Sequence, residues 1–166
     1  LEKKRPDIKI EIVQSRGNWT EVLKAVTREF FGDERSELKN TILTPNTPNM
    51  NEVYERSRVV FAPSLWWESG SRVLAEAMLN GIPAIVSNRG GNAEMIGEGG
   101  LVVDLPQELY EAPYAKLPGR PIVEKIIQVI ETFWDDEDQY IYFVKKAMLK
   151  GYTDHSLENS TSKLIQ

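Results

Sequence analysis

Two glutamates with seven residues between them, Glu68 and Glu76, flank the segment Ser69-Gly70-Ser71-Arg72-Val73, which joins a candidate strand ending at Ala62 to a candidate helix starting near Ser71. A carboxylate accepts two hydrogen bonds at once, which suits paired hydroxyls such as the vicinal diol of a ribose. Glu76 falls on the second turn of the helix, and helical side chains lean toward the N-terminus, so its carboxylate reaches back toward whatever the loop holds. Glu68 lies in the loop itself, placed to accept from hydroxyls of a second ring. The first amides of a helix lack intrahelical acceptors and sit at the positive end of its dipole, which favours phosphate or a sugar hydroxyl there. Downstream, a strand ending at Ser87 runs into Asn88-Arg89-Gly90-Gly91-Asn92. Paired glycines after a buried strand allow close backbone approach, so this loop and the one that begins at Pro63-Ser64 are expected to face one crevice.

The elements that hold these loops follow from hydrophobic periodicity. Ile8, Ile10, Ile12 and Val13 alternate with polar residues like a strand, Ser15-Arg16-Gly17-Asn18 supplies a turn, and Trp19 to Phe31 reads as a helix. The order then repeats, with strands at Thr41 to Thr44, Val59 to Ala62, Pro83 to Ser87 and Leu101 to Val103, and helices at Met50 to Ser57 and Ser71 to Leu79. Such alternation needs crossover connections, which predicts parallel strands with helices on both faces and ligands beyond the carboxyl ends of the strands. From Asp104 to Pro121 the density of proline predicts a surface loop. Two amphipathic helices follow, one carrying Ile122 to Phe133 and one Tyr140 to Met148, and a last helix around Ser156 to Ile165 is expected to pack Leu157 and Leu164 against the body. No boundary for a second domain is evident in the sequence.

Composition narrows the chemistry. The absence of cysteine and a single histidine, His155, remove disulfides, thiolate nucleophiles and a zinc cluster. A net charge of −5 opposes binding to nucleic acid. No apolar run approaches the roughly 20 residues that span a bilayer, and Leu1 to Pro6 lacks the apolar centre of a signal peptide, so a cytoplasmic protein is expected. Gly97-Glu98-Gly99-Gly100 precedes a strand instead of leading into a helix, against a dinucleotide fingerprint.

Ordinary structural roles compete with the functional ones. Arg72 and Glu76, four apart, make a possible surface ion pair, Gly90-Gly91 a plain turn, and Glu94 an exposed charge in a first helical turn. Trp66 and Trp67 we read as packing the loop down, in preference to a stacking platform for a sugar or base. The Asp135-Asp136-Glu137-Asp138 run reads as a solvated helix start.

The run from Tyr54 to Asp104 resembles the nucleotide-sugar-binding half of retaining glycosyltransferases with the two-Rossmann-domain GT-B architecture, most closely family 4. The resemblance rests on Pro63-Ser64, the spaced pair Glu68 and Glu76, Glu76-Ala77-Met78, Gly81-Ile82-Pro83, Gly90-Gly91, Glu94 and Gly100-Leu101-Val102-Val103. It implies an α/β fold, a Rossmann-like parallel sheet with helices on both faces. It also implies a single, partial donor-binding domain over residues 1–166 with C-terminal helices over residues 120–166. By the same resemblance, Glu76 binds the donor ribose, Glu68 contacts the donor sugar, and Ser69, Gly70, Ser71, Arg72 and Val73 hold sugar and diphosphate. Thr44, Pro45 and Asn46 lie near the nucleobase, and Ser64, Gly90 and Gly91 line the crevice, with no catalytic residue assigned. The donor implied is a UDP- or GDP-linked sugar, with no cofactor and no metal. The acceptor, a glycan, lipid or small molecule, would be held by an N-terminal domain that also offers peripheral membrane contact.

Two departures qualify the transfer of roles. Glu68-Ser69-Gly70-Ser71 stands where relatives usually carry Glu-Gly-Phe-Gly, so sugar preference does not carry over. The family's first strand and helix have no counterpart, and in the order 3-2-1-4-5-6 that strand is the central one. The chain is therefore expected to be an excerpt of a longer protein, inactive alone. Two other readings remain, another GT-B sugar enzyme such as a phosphorylase or nucleotide-sugar epimerase, and a flavodoxin-like signalling module. The latter needs a phosphorylatable aspartate at a strand end, and Phe61-Ala62-Pro63-Ser64 offers none. If these assignments hold, Glu76→Ala costs more nucleotide affinity than Glu94→Ala, a ranking that calorimetric titration of both variants reads directly.

Overall fold

A computed structural model describes residues 1–14, 18–35 and 37–164, which form two compact units, Leu1–Met50 and Asn51–Gln166. In the first unit, strand β1 (Ile10–Val13) pairs in parallel with β2 (Thr41–Thr44), in register from Ile10 opposite Thr41 to Val13 opposite Thr44. Helix α1 (Trp19–Phe31) makes the crossover. Asn18 caps it, its side-chain oxygen accepting from the Glu21 amide at 3.4 Å, and Gly32 ends it in the left-handed conformation at φ 77°. Two buried polar groups fasten the connections. The Thr27 hydroxyl accepts from the Arg35 amide at 2.9 Å, and the Asn40 side chain donates to the Ile8 carbonyl at 3.1 Å. The turn expected at Ser15 to Gly17 lies outside the described residues.

The second unit holds α2 (Asn51–Tyr54), β3 (Val60–Ala62), α3 (Arg72–Leu79), β4 (Ala84–Ser87), α4 (Asn92–Ile96) and β5 (Gly100–Val103), then α5 (Arg120–Asp135), α6 (Glu137–Lys150) and α7 (Leu157–Leu164). Its sheet is parallel in the order β3-β4-β5. The central strand β4 is buried at every residue, as a non-alternating apolar strand covered on both faces should be. Leu74 and Met78 of α3, Ile96 of α4 and Ala147 of α6 cluster with Ala84 and Val86 on one face. Strand side chains alternate, so Ile85 points the opposite way; it too is fully buried. Phe61, beside Ile85 on outer strand β3, stays 43% exposed.

Three readings need correction. The helix expected over Met50 to Ser57 spans only Asn51–Tyr54, whose Val53 and Tyr54 are buried. The proline-rich excursion is not a plain loop. A 3-10 turn over Gln107–Tyr110 buries Leu109 and Tyr110, an apolar pair masked by the surrounding prolines. Helix α5 then starts at Arg120 with Pro121 inside its first turn, where the missing N–H costs nothing. Finally, Leu157 does not pack down. It is 87% exposed, and α7 is held through a polar contact instead, the Asn159 side chain donating to the Tyr152 carbonyl at 2.7 Å; the side chain of Leu164 lies outside the description.

The acidic run serves as a helix start. Asp136 caps α6, accepting from the Gln139 amide at 2.9 Å. Phe133 of α5 is fully buried with its ring 5.1 Å from that of Phe143 of α6, and Arg58 ties this helix pair to the start of β3. The Arg58 guanidinium donates to the Phe133 carbonyl at 2.5 Å, pairs with Glu137 at 2.7 Å and lies 3.6 Å from the centre of the Tyr140 ring. Where a single π turn (Gly151–His155) follows α6, it meets α3 backbone to backbone. A Cβ at position 151 would stand 2.5 Å from the Met78 carbonyl carbon and 2.6 Å from the Leu79 nitrogen. Gly151→Ala is accordingly expected to destabilise the fold by about 1–3 kcal/mol, as read by urea denaturation, despite alanine's higher helix propensity.

Candidate functional site

The loops after β3 and β4 leave from neighbouring parallel strands and meet through their backbones. The Ser64 amide turns back to the Ala62 carbonyl at 2.9 Å, and the Ser64 carbonyl accepts from the buried Ser87 hydroxyl at 2.5 Å. The Gly91 amide donates to the Glu68 carbonyl at 2.7 Å. Gly90 adopts φ +64°, and a Cβ there would fall 2.0 Å from the same carbonyl oxygen; at Gly91 it would fall 2.7 Å from the Ser69 carbonyl oxygen. The glycine pair is therefore more than a turn: it is what lets the second loop lie against the first. Ser64, Glu68, Ser69, Gly90 and Gly91 are brought together at the carboxyl rim of the sheet.

At the start of α3 the expected open amides are present. Ser71 occupies the N-cap with extended backbone, but its side chain makes no capping bond, so the amides of Arg72 and Val73 lack an intrahelical acceptor. The Ser71 amide itself approaches the Met95 sulfur at 3.2 Å. Arg72 and Val73 are exposed, and Arg72 makes no ion pair with Glu76 among the described residues. The Glu76 carboxylate accepts instead from the hydroxyl of Tyr54 at 2.8 Å.

Tyr54 was not legible as a site residue. Nothing in periodicity links a residue at the end of a one-turn helix to one 22 positions later. Its phenol is pushed well above its ordinary value of 10.0, first by burial and then by hydrogen bonding and charge from Glu76. The neutral phenol is the form favoured by folding, so its contribution is fully present below the ordinary value and is lost only as pH rises through the raised one. Through the neutral range Tyr54 remains a proton donor that steers one carboxylate oxygen of Glu76.

The tryptophans reverse expectation. Trp66 and Trp67 are 64% and 65% exposed and do not pack the loop down, a task performed by the backbone bonds of Ser64 and Glu68. Each meets a neighbour at its side. Trp66 lies 5.6 Å from the ring of Tyr114, and the Arg89 guanidinium stands 5.0 Å from the Trp67 ring and 4.7 Å from that of Tyr110. Arg89 belongs to the glycine loop already expected at the crevice, whereas Tyr110 joins from the 3-10 turn after β5, which the sequence did not connect to it.

Glu94 is exposed on α4. Thr44, Pro45 and Asn46 follow β2 in the first unit, where the Thr44 hydroxyl donates to Glu11 and Pro45 and Asn46 are exposed. Among the described residues, no group of three acidic, histidine or cysteine side chains is arranged to hold a metal ion, and no helix is long and apolar enough to cross a membrane.

Comparison with known proteins adds to this geometry. The family model for glycosyl transferases group 1 matches residues 1–113. Spore coat protein SA of Bacillus subtilis (strain 168) is 51% identical over 47 residues, which are 28% of this chain and 12% of that protein. Among solved structures, HepE of Anabaena in complex with UDP-glucose superposes with a TM-score of 0.69 at 17% identity, over 96% of this chain and 41% of its own. Sucrose-phosphate synthase from Thermosynechococcus elongatus superposes at 0.68 and 18% identity, over 95% of this chain and 37% of its own. The α/β architecture with parallel, helix-flanked sheets is thus the fold of GT-B glycosyltransferases, and the chain spans less than half the length of the proteins it matches.

Because a methyl group at position 90 meets both a left-handed backbone and the Glu68 carbonyl, Gly90→Ala is expected to separate the loops. Thermal denaturation would show a loss of about 2 kcal/mol or more, with amide shifts concentrated at Glu68 and Ser69.

Proposed function

The chain belongs to the glycosyl transferases group 1 family, and from that premise we propose that it is the nucleotide-sugar donor-binding domain of a retaining, family 4-like enzyme, C-terminal within a GT-B protein. The carrying observation is the arrangement around the start of α3. Glu68 is fixed by the Gly91 amide, Glu76 is steered by Tyr54, and uncapped first-turn amides lie between them in the chain. In this reading Glu76 accepts from the ribose hydroxyls and Glu68 from the donor sugar. The segment Ser69 to Val73 holds sugar and diphosphate.

The donor is a UDP- or GDP-linked sugar, most simply a hexose. HepE, whose structures hold UDP-glucose and UDP, supports the uridine arm. The acceptor, a glycan, lipid or small molecule, is held by another domain, which is also where any contact with a membrane surface would lie. Transfer proceeds in the cytoplasm and without a divalent metal. The bond between the anomeric carbon and the diphosphate oxygen breaks, the electron pair leaves with the diphosphate, and helix-end amides stabilise that charge while the acceptor oxygen bonds to the anomeric carbon and its hydroxyl proton passes to the departing diphosphate. Catalysis is then largely positioning, and this chain by itself transfers nothing.

Titration with UDP, GDP, ADP and their sugar conjugates, followed by amide shifts in NMR spectra, tests the reading. Saturable shifts at Glu68 to Arg72 are expected for one base, abolished by Glu76→Ala and weakened several-fold by Tyr54→Phe. Shifts elsewhere, or shifts indifferent to Glu76→Ala, would overturn it.

A further inference from the structure

We propose that Arg89 is an oxyanion-binding residue of the crevice, its guanidinium meeting a negatively charged oxygen of the nucleotide sugar. This deepens the donor-site reading and rests on it. The chain carries 25 acidic against 20 basic residues, and many of its cations find carboxylates: Arg5 with Asp7, Arg28 with Glu34, Arg35 with Asp33, Arg58 with Glu137, Lys146 with Glu98. Arg89 does not. Among the described residues its guanidinium makes neither ion pair nor hydrogen bond, and its Nε is buried without an acceptor.

The guanidinium is nevertheless held. The rings of Trp67 and Tyr110 lie 5.0 Å and 4.7 Å from it, and they come from the loop after β3 and the 3-10 turn after β5. Aromatic faces orient a guanidinium without neutralising it, unlike a carboxylate. The hydroxyl of Tyr110, a residue only 8% exposed, is also buried without a partner. Two donors in one stack thus lack an oxygen acceptor, where buried donors ordinarily have one.

Placement supplies the ligand class. Arg89 directly precedes Gly90-Gly91, whose backbone lies against Glu68 and Ser69, and its ring partner Trp67 directly precedes Glu68. An uncommitted cation beside the proposed donor loop selects an anionic oxygen. A nucleotide sugar offers that oxygen on the diphosphate or, for an acidic sugar, on a carboxylate.

The test is isothermal titration of the full-length protein and of its Arg89→Met and Arg89→Lys variants. Methionine keeps an unbranched apolar stem beneath the rings but removes the guanidinium and its charge; lysine keeps the charge without the planar stack. The probes are UDP, GDP, uridine, guanosine, UDP-glucose and UDP-glucuronate. For whichever nucleotide binds, Arg89→Met is expected to weaken affinity roughly tenfold or more, with the nucleoside unaffected, the thermal midpoint retained and Arg89→Lys intermediate. Loss with the free diphosphate places the contact on phosphate, whereas loss confined to UDP-glucuronate places it on a sugar carboxylate. Unchanged affinity for all charged probes overturns the assignment, as does an equal loss with the nucleoside. Failure of the unaltered protein to bind any of the nucleotides overturns the donor-site reading itself, and this inference with it.

Discussion

Complete burial of β4, from Ala84 through Ser87, confines the chemistry of the second unit to the ends of its strands. A strand enclosed on both faces and flanked by hydrogen-bonded neighbours presents no side chain to a ligand. Its last residue shows the limit, for the Ser87 hydroxyl is itself buried and spent on the Ser64 carbonyl. Parallel neighbours lie about 4.8 Å apart, so the loops leaving β3 and β4 start side by side. The meeting of Gly90-Gly91 with Glu68-Ser69 is a direct result of that spacing and of two missing Cβ atoms.

What the sequence made legible was local. The apolar run Ala84-Ile85-Val86 marked a parallel strand covered on both faces, the run ending at Ala62 marked its neighbour although Phe61 stays exposed there, and Asn18 and Asp136 stand at the helix starts read from their turn and acidic run. The glycine pair and Glu68 meet where the two loops leave the sheet, while Glu76 lies on α3 against Tyr54. Less legible were partnerships set by tertiary packing. Tyr54 donates to Glu76, 22 residues further along the chain, and Arg89 gathers rings from two other loops. Large side chains in loops and at helix ends were the characteristic source of error. Trp66, Trp67 and Leu157 were read as packing and are exposed, while Tyr110, set among prolines, was read as loop and is buried.

The electrostatics of the rim run against those of the chain as a whole. A net charge of −5 repels a polyanion at long range, but screening confines that effect to roughly 8–10 Å at moderate ionic strength. Inside that distance, fixed dipoles and single charges decide. The uncapped first turn of α3 and a guanidinium without a carboxylate partner are local sources of positive potential, and neither depends on the sign of the overall charge.

The contact between the two loops is made by main-chain atoms: a glycine amide, a glycine Cα and the carbonyls of residues 68 and 69. Lengthening or shortening either loop by one residue would throw that contact out of register, whereas exchanging the side chains at Ser69 or Ser71 leaves its atoms in place. Variation is thereby channelled. The lineage that carries this rim, and anyone building libraries on it, can diversify what the loop recognises by substitution while its length and path are inherited unchanged.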